Sequence, residues 1–119
     1  MKISRWTLAA IAGLLSVSGC HSFHVETTVA NRTGSAVRLL EIDYPSASFG
    51  ADGLAAGATM HYRIQVRGEG RLKVQYTAGD GHVQHIDGPM LAERQEGSLE
   101  IVLLPGGKGD FHPALTPKP

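Results

Sequence analysis

Met60-His61-Tyr62-Arg63-Ile64-Gln65-Val66-Arg67, followed after Gly68-Glu69-Gly70 by Arg71-Leu72-Lys73-Val74-Gln75-Tyr76, is the stretch that sets the fold class. Met60, Tyr62, Ile64 and Val66 alternate with polar or charged residues, and Leu72, Val74 and Tyr76 do so again after the glycines. A period of two sends successive side chains to opposite faces of a strand, so each run has a dry face and a wet one. Two such runs joined by a short loop containing Gly predict a β-hairpin. Its wet face would gather His61, Arg63, Arg67, Arg71 and Lys73 into a basic surface.

The same logic extends outward. Val25, Thr27 and Val29 alternate with Glu26 and Thr28, and Asn31-Arg32-Thr33-Gly34 then reads as a turn. In Ala36 to Tyr44, Val37 and Leu39 share one face and Leu40, Ile42 and Tyr44 the other, a switch that predicts a bulge or a strand covered on both sides. Pro45 to Thr59 is rich in Gly, Ala and Ser without a period and reads as a long connection. Gly79-Asp80-Gly81 is a further turn before a weaker strand from His82 to Ile86. Gly88 to Gly97 reads as irregular, and Leu99, Ile101 and Leu103 mark the last strand. The expected fold class is all-β, a small antiparallel β-sandwich of about six to seven strands after a cleaved N-terminal signal helix. Pro105-Gly106-Gly107 would end it, leaving 105–119 as a flexible Pro/Gly-rich tail. The strand pattern resembles immunoglobulin- and transthyretin-like modules in architecture, without the paired cysteines and core tryptophan of antibody domains.

The first residues have a different character. Lys2 and Arg5 precede a mainly apolar run from Thr7 to Val17, the layout of a secretory signal. That run is well short of the ~20 residues a spanning helix needs. It is followed by Val17-Ser18-Gly19-Cys20, which holds the single cysteine of the chain. This tetrapeptide resembles the lipobox of bacterial lipoproteins. The resemblance implies that Cys20 receives a diacylglyceryl group, that the peptide is cut before Cys20, and that the new amine is acylated. Three such chains, palmitate among them, hold a protein to a bilayer effectively permanently. His21 stands where many Gram-negative inner-membrane lipoproteins have Asp, so the resemblance implies the outer membrane, at its periplasmic face. The organisation expected is thus 1–19 signal peptide, 20–22 lipidated anchor and short tether, 23–104 β-sandwich, and 105–119 tail. Only His21 and Ser22 separate the anchor from Phe23, a tether reaching about 10 Å when stretched.

The composition narrows the function. Loss of Lys2 and Arg5 with the leader leaves nine Lys and Arg against eleven Asp and Glu, which gives no reason to expect a nucleic-acid partner. Six histidines raise a metal site, with His21, His24, His82 and His85 as its weak candidates. His82 and His85 are three apart, however, and on a strand they face opposite ways. His21 and His24 have no thiolate or carboxylate beside them to complete a tetrahedral set, so no metal or other cofactor is expected. Ser46, Ser48 and Ser98 lack a Gly-x-Ser-x-Gly elbow, and Glu93 and Glu96 read as solvated loop carboxylates. Gly106-Gly107-Lys108-Gly109 lacks the hydroxyl residue and helix of a phosphate loop. Asn31-Arg32-Thr33 matches a glycosylation sequon, but the turn is the better reading. The expectation is a non-enzymatic envelope lipoprotein, a binding or structural accessory anchored in the bilayer through acylated Cys20; the alternative is a metal-binding or metal-sensing lipoprotein that uses the histidines. Arg63, Arg67, Arg71 and Lys73 would be its candidate contacts with an envelope protein or anionic headgroups.

Overall fold

A computed structural model of the chain describes residues 22–117; the leader, the Val17-Ser18-Gly19-Cys20 motif and His21 lie outside the described residues. Eight strands follow in order: β1 Val25–Asn31, β2 Val37–Tyr44, β3 Ala47–Leu54, β4 Thr59–Ile64, β5 Gly70–Thr77, β6 Val83–Leu91, β7 Glu96–Leu104 and β8 Lys108–Thr116. No helix occurs among the described residues. The strands form two four-stranded sheets, ordered β4-β1-β7-β8 and β3-β2-β5-β6, so the fold is an all-β sandwich.

The inward positions are those the alternation marks. Val25 and Val29 of β1, Ile64 of β4 and Leu99, Ile101 and Leu103 of β7 meet Ile42, Leu72, Val74 and Tyr76 from the other sheet, all essentially inaccessible to water. Each fully buried aliphatic side chain contributes ~1.5–3 kcal/mol before the entropy of ordering the chain is set against it. The face change in β2 is a bulge: Arg38 lies opposite Thr77 but Glu41 opposite Gln75, so β2 spends one extra residue. Leu39 takes the left-handed backbone there, with φ of 51°, so it does not share the buried face of Val37 as expected and its side chain stands in solvent. Alongside the bulge, a Cβ on Gly50 of β3 would overlap the Leu40 carbonyl oxygen, so this position requires glycine.

Several expectations are corrected. There are eight strands rather than six or seven, and β1 runs parallel to β7. The stretch read as a long connection contains β3, an edge strand whose inward side chains are mostly small, Phe49 and Leu54 excepted. The stretch read as irregular is largely the end of β6 and the start of β7. β4 and β5 are not a hairpin at all: β4 pairs with β1 and β5 with β2 and β6, and residues 65–69 cross between the sheets. Alternation fixes the face of a strand and says nothing of its neighbour.

The tail is also corrected, because Lys108–Thr116 pairs with β7 along its whole length. Gly106 and Gly107 both have positive φ, as a tight hairpin turn demands, so they begin the last hairpin rather than end the domain. Only Phe111 and Leu115 of β8 point an apolar side chain inward, and Pro113 is tolerated because β8 is at the edge. Gly88 of β6 and Gly109 of β8 let Phe111 settle between the sheets, where added Cβ atoms would crowd it at 3.0 and 3.4 Å. The opposite flank, between β3 and β4, is closed by Phe49 stacked on Tyr62 at 4.5 Å with Tyr44 beside them.

All strands alternate in direction, which sorts the loops between two ends. Residues 32–36, 55–58, 78–82 and 105–107 lie at the upper end; residues 45–46, 65–69 and 92–95 lie at the lower end with both termini of the described chain. The upper end is fastened by Asn31, which is buried completely. Its Nδ2 donates to the carbonyls of Ser35, Leu54 and Ala55 at 2.8, 2.9 and 3.2 Å. Its Oδ1 accepts from the Thr33 amide at 3.1 Å and lies 2.7 Å from the Thr33 hydroxyl. At the lower end buried Gln95 accepts from the Ala92 amide and donates to the Pro117 carbonyl, each at 2.9 Å.

Two outcomes are expected in urea titrations. Ending the chain at Leu104 removes the β7–β8 ladder and the half-buried Phe111 and Leu115, each worth ~1–2 kcal/mol. The unfolding midpoint should fall sharply, whereas loss of a mere tail would leave it in place. Asn31→Ala should cost ~1–3 kcal/mol, chiefly by taking the side-chain donor from the buried Leu54 carbonyl. Asn31→Asp should cost at least as much at neutral pH. Burial raises the folded pKa of such a carboxyl, so its penalty is full above that pKa and eases as pH falls and the group takes up a proton.

Candidate functional site

The charged side chains singled out by the alternation are distributed over both sheets. Arg63 and His61 stand on β4 with Arg67 in the crossing loop, whereas Arg71 and Lys73 stand on β5 of the other sheet. No single basic face results, and each cation meets its own surroundings. Arg63 Nε donates to Glu26 Oε1 across the β4–β1 pair at 2.7 Å, with both side chains more than half exposed. Arg67 reaches Gln65 Oε1 at 3.1 Å, and Arg71 donates to the Gly88 carbonyl at 2.7 Å. Lys73 lies between Asp43 of β2 and Asp87 of β6, its direct cross-strand neighbours. Opposite charges so placed offset one another, and the field that four clustered cations would project is reduced.

The described histidines are likewise dispersed. His24 is half buried just ahead of β1, and its carbonyl accepts from the Gly97 amide at 3.2 Å. His82 closes the upper β5–β6 turn: its backbone amide donates to Asp80 Oδ1 at 2.9 Å and its Nδ1 sits 3.0 Å from Asp80 Oδ2. Those bonds, the backbone one foremost, hold the Asp80 carboxyl below the usual carboxylate range. His85 stands opposite Gln75 on the outer face. No group of three His, Cys, Asp or Glu side chains among the described residues is placed to hold a metal ion.

One charged cluster escaped the sequence reading. His112 of β8 has its Nε2 3.0 Å from Asp110 Oδ2 and 3.9 Å from Glu100 Oε1. The signal was Asp-x-His at a spacing of two, which shares a strand face, but it lay in a segment read as a tail. Of the other candidates, Ser46 lies in the β2–β3 turn, Ser48 on β3 and Ser98 on β7, and none of the described hydrogen bonds joins them to a histidine. Glu93 is exposed in the lower turn and Glu96 opens β7 opposite Thr116. Burial raises the pKa of both Tyr76 and Tyr44, with the nearby Tyr62 adding to the effect on Tyr44.

Open depressions mark the surface of the described residues. One, of about 730 Å³, is open and lies over the bulge, lined by Leu39, Glu41, Ser48, Asp52 and Gln75. A smaller one of about 230 Å³ lies among upper loops, between Ser35, Asp80, Gln84 and Gly107. No helix among the described residues is long and apolar enough to cross a membrane.

A double-mutant cycle on Glu26 and Arg63 checks how little these surface charges hold the fold. The coupling should be below about 1 kcal/mol and should shrink as salt is added.

Comparison with known proteins gives the fold a neighbour. No protein-family profile matches the chain, and no curated protein sequence matches it. Among solved structures, the NMR structure of a protein from Eubacterium rectale is similar, with a TM-score of 0.56 over 81% of this chain and 95% of that one. At 11% identity, that likeness concerns the fold alone.

Proposed function

We propose that the protein is a membrane-anchored lipoprotein of the cell envelope, held in the outer membrane at its periplasmic face through acylated Cys20. In this reading it is a non-enzymatic binding or structural accessory to another envelope component. The observation that carries the proposal is the ordered series of basic residues Lys2 and Arg5, apolar run, and Val17-Ser18-Gly19-Cys20 near the N-terminus. The fold is consistent with it, since ordered strand begins at Val25, five residues after the cysteine. A cut before Cys20 would therefore leave every strand of the sandwich intact. The sandwich does not need the cysteine for its core, which is built from aliphatic and aromatic side chains beyond it.

The accessory role is supported by the kind of surface described above. It has open, shallow depressions and dispersed, locally balanced charge, which suit contact with a macromolecule better than enclosure of a small substrate. The protein would thus act by being held in one place and presenting its loops.

Cells fed labelled palmitate should incorporate it into the wild-type protein and not into Cys20→Ser. The wild-type mature chain should have the mass of residues 20–119 plus the lipid. The Cys20→Ser protein should fold normally but fractionate away from the membranes. An unmodified cysteine in the wild type, or its removal with the leader, would end the lipoprotein reading.

A further inference from the structure

Which surface of the sandwich faces the bilayer follows from where the chain enters it. We infer that the lower end, formed by residues 45–46, 65–69 and 92–95, is apposed to the lipid headgroups, and that the upper loops point away from them. This rests on the lipid-anchor reading above and assigns it a face.

The argument is one of chain length. Gly97 of β7 donates its amide to the His24 carbonyl, so the chain is already pinned one residue before β1 begins. Phe23 is half buried and has an interaction partner of its own. Two residues, His21 and Ser22, join Cys20 to Phe23, and that step spans about 10 Å at most. β1 has seven residues, which carry the chain about 20 Å further to the upper end. The lower loops are within reach of the headgroup layer and the upper loops are a strand length beyond it.

Charge does not supply this apposition. Arg67 and Arg94 are exposed on the lower loops, but Glu69 and Glu93 are exposed on the same loops. A tether-driven orientation should therefore be indifferent to anionic lipid, whereas one driven by a cationic surface would require it. The bilayer surface itself, held near by the short tether, is the committed contact.

With Cys20 acylated the chain has no other thiol, so single cysteines can be placed and labelled at will. Glu69→Cys and Glu93→Cys report the lower end, and Ala56→Cys and Pro105→Cys the upper end; all four positions are exposed. The acylated proteins, each checked for fold by circular dichroism, are inserted into phosphatidylcholine vesicles with and without phosphatidylglycerol. A fluorophore on each cysteine is then quenched by a quencher attached to lipid headgroups. The lower labels should be quenched at least about twofold more than the upper ones, because they sit a strand length closer, and the ratio should be equal in both vesicles. Equal quenching at the two ends, or stronger quenching above, would overturn the orientation while leaving the anchor in place. A lower-end preference that appears only with phosphatidylglycerol would overturn the tether argument. A mass showing Cys20 without lipid would overturn the anchor and the orientation together.

Discussion

A sandwich whose chain passes repeatedly from one sheet to the other must satisfy the backbone groups of every crossing, and Asn31 is where this fold meets that requirement. The carbonyls of Leu54 and Ala55, leaving β3 for β4, and of Ser35, entering β2, converge on one point at the upper end. Of the three, the Leu54 carbonyl is the buried one, and a buried carbonyl without a donor costs roughly 1–3 kcal/mol, a sizeable part of the stability of a small domain. A carboxamide is suited to the place because it offers two N–H donors and an acceptor on one rigid plane. With two protons and three carbonyls, one N–H is shared. The acceptor then orders the Thr33 turn, and the Thr33 hydroxyl lies 2.8 Å from the Ser35 carbonyl it helps to hold. The backbone of Asn31 joins in, accepting from Gly57 and donating to Ala58. One residue thereby ties two crossings to the end of the central strand β1.

The flanks obey a different constraint. Two flat four-stranded layers leave a gap along each side, where the edge strands β3 and β4 approach on one flank and β6 and β8 on the other. The first gap is filled by ring stacking, Phe49 on Tyr62. The second is filled by Phe111, for which Gly88 and Gly109 make room. Side-chain size at these positions is thus set across the gap rather than along the strand. That explains why the edge strands look so poor in isolation: β3 and β8 carry glycine and small residues where a central strand would carry Val or Ile.

This is also why the sequence was legible in its middle and obscure at its margins. The alternation of Leu72, Val74 and Tyr76 identified a strand and its buried face correctly, and the face change at Val37 to Leu40 announced a bulge that is present. Strands β3 and β8 escaped because Phe49 with Leu54, and Phe111 with Leu115, are too sparse to set a period against the Gly and Pro between them. The hairpin was misread for another reason. Residues 65–69 are short enough to turn a chain within one sheet, and nothing local distinguishes that turn from a crossing, which depends on β1 and β2 having claimed β4 and β5. The candidate basic surface inherited the error, since its four residues were grouped by the supposed pairing. The partners Glu26, Asp43 and Asp87 come from strands distant in sequence and could not be seen beforehand.

The functional consequence follows from topology more than from any side chain. Because β1 is preceded by only three described residues and its direction is fixed by β4 and β7, the place at which the chain enters the sandwich divides the loops into two sets of unlike composition. The lower set carries charges of both signs, Arg67, Glu69, Glu93 and Arg94. The upper set is made chiefly of Gly, Ala and Ser, closed by the Asn31 and Asp80 turns, with a small depression between them. Small residues held by side-chain hydrogen bonds give a surface that is rigid yet lets another backbone approach closely. The ordering of those upper loops rests on the same carboxamide that ties the two crossings together.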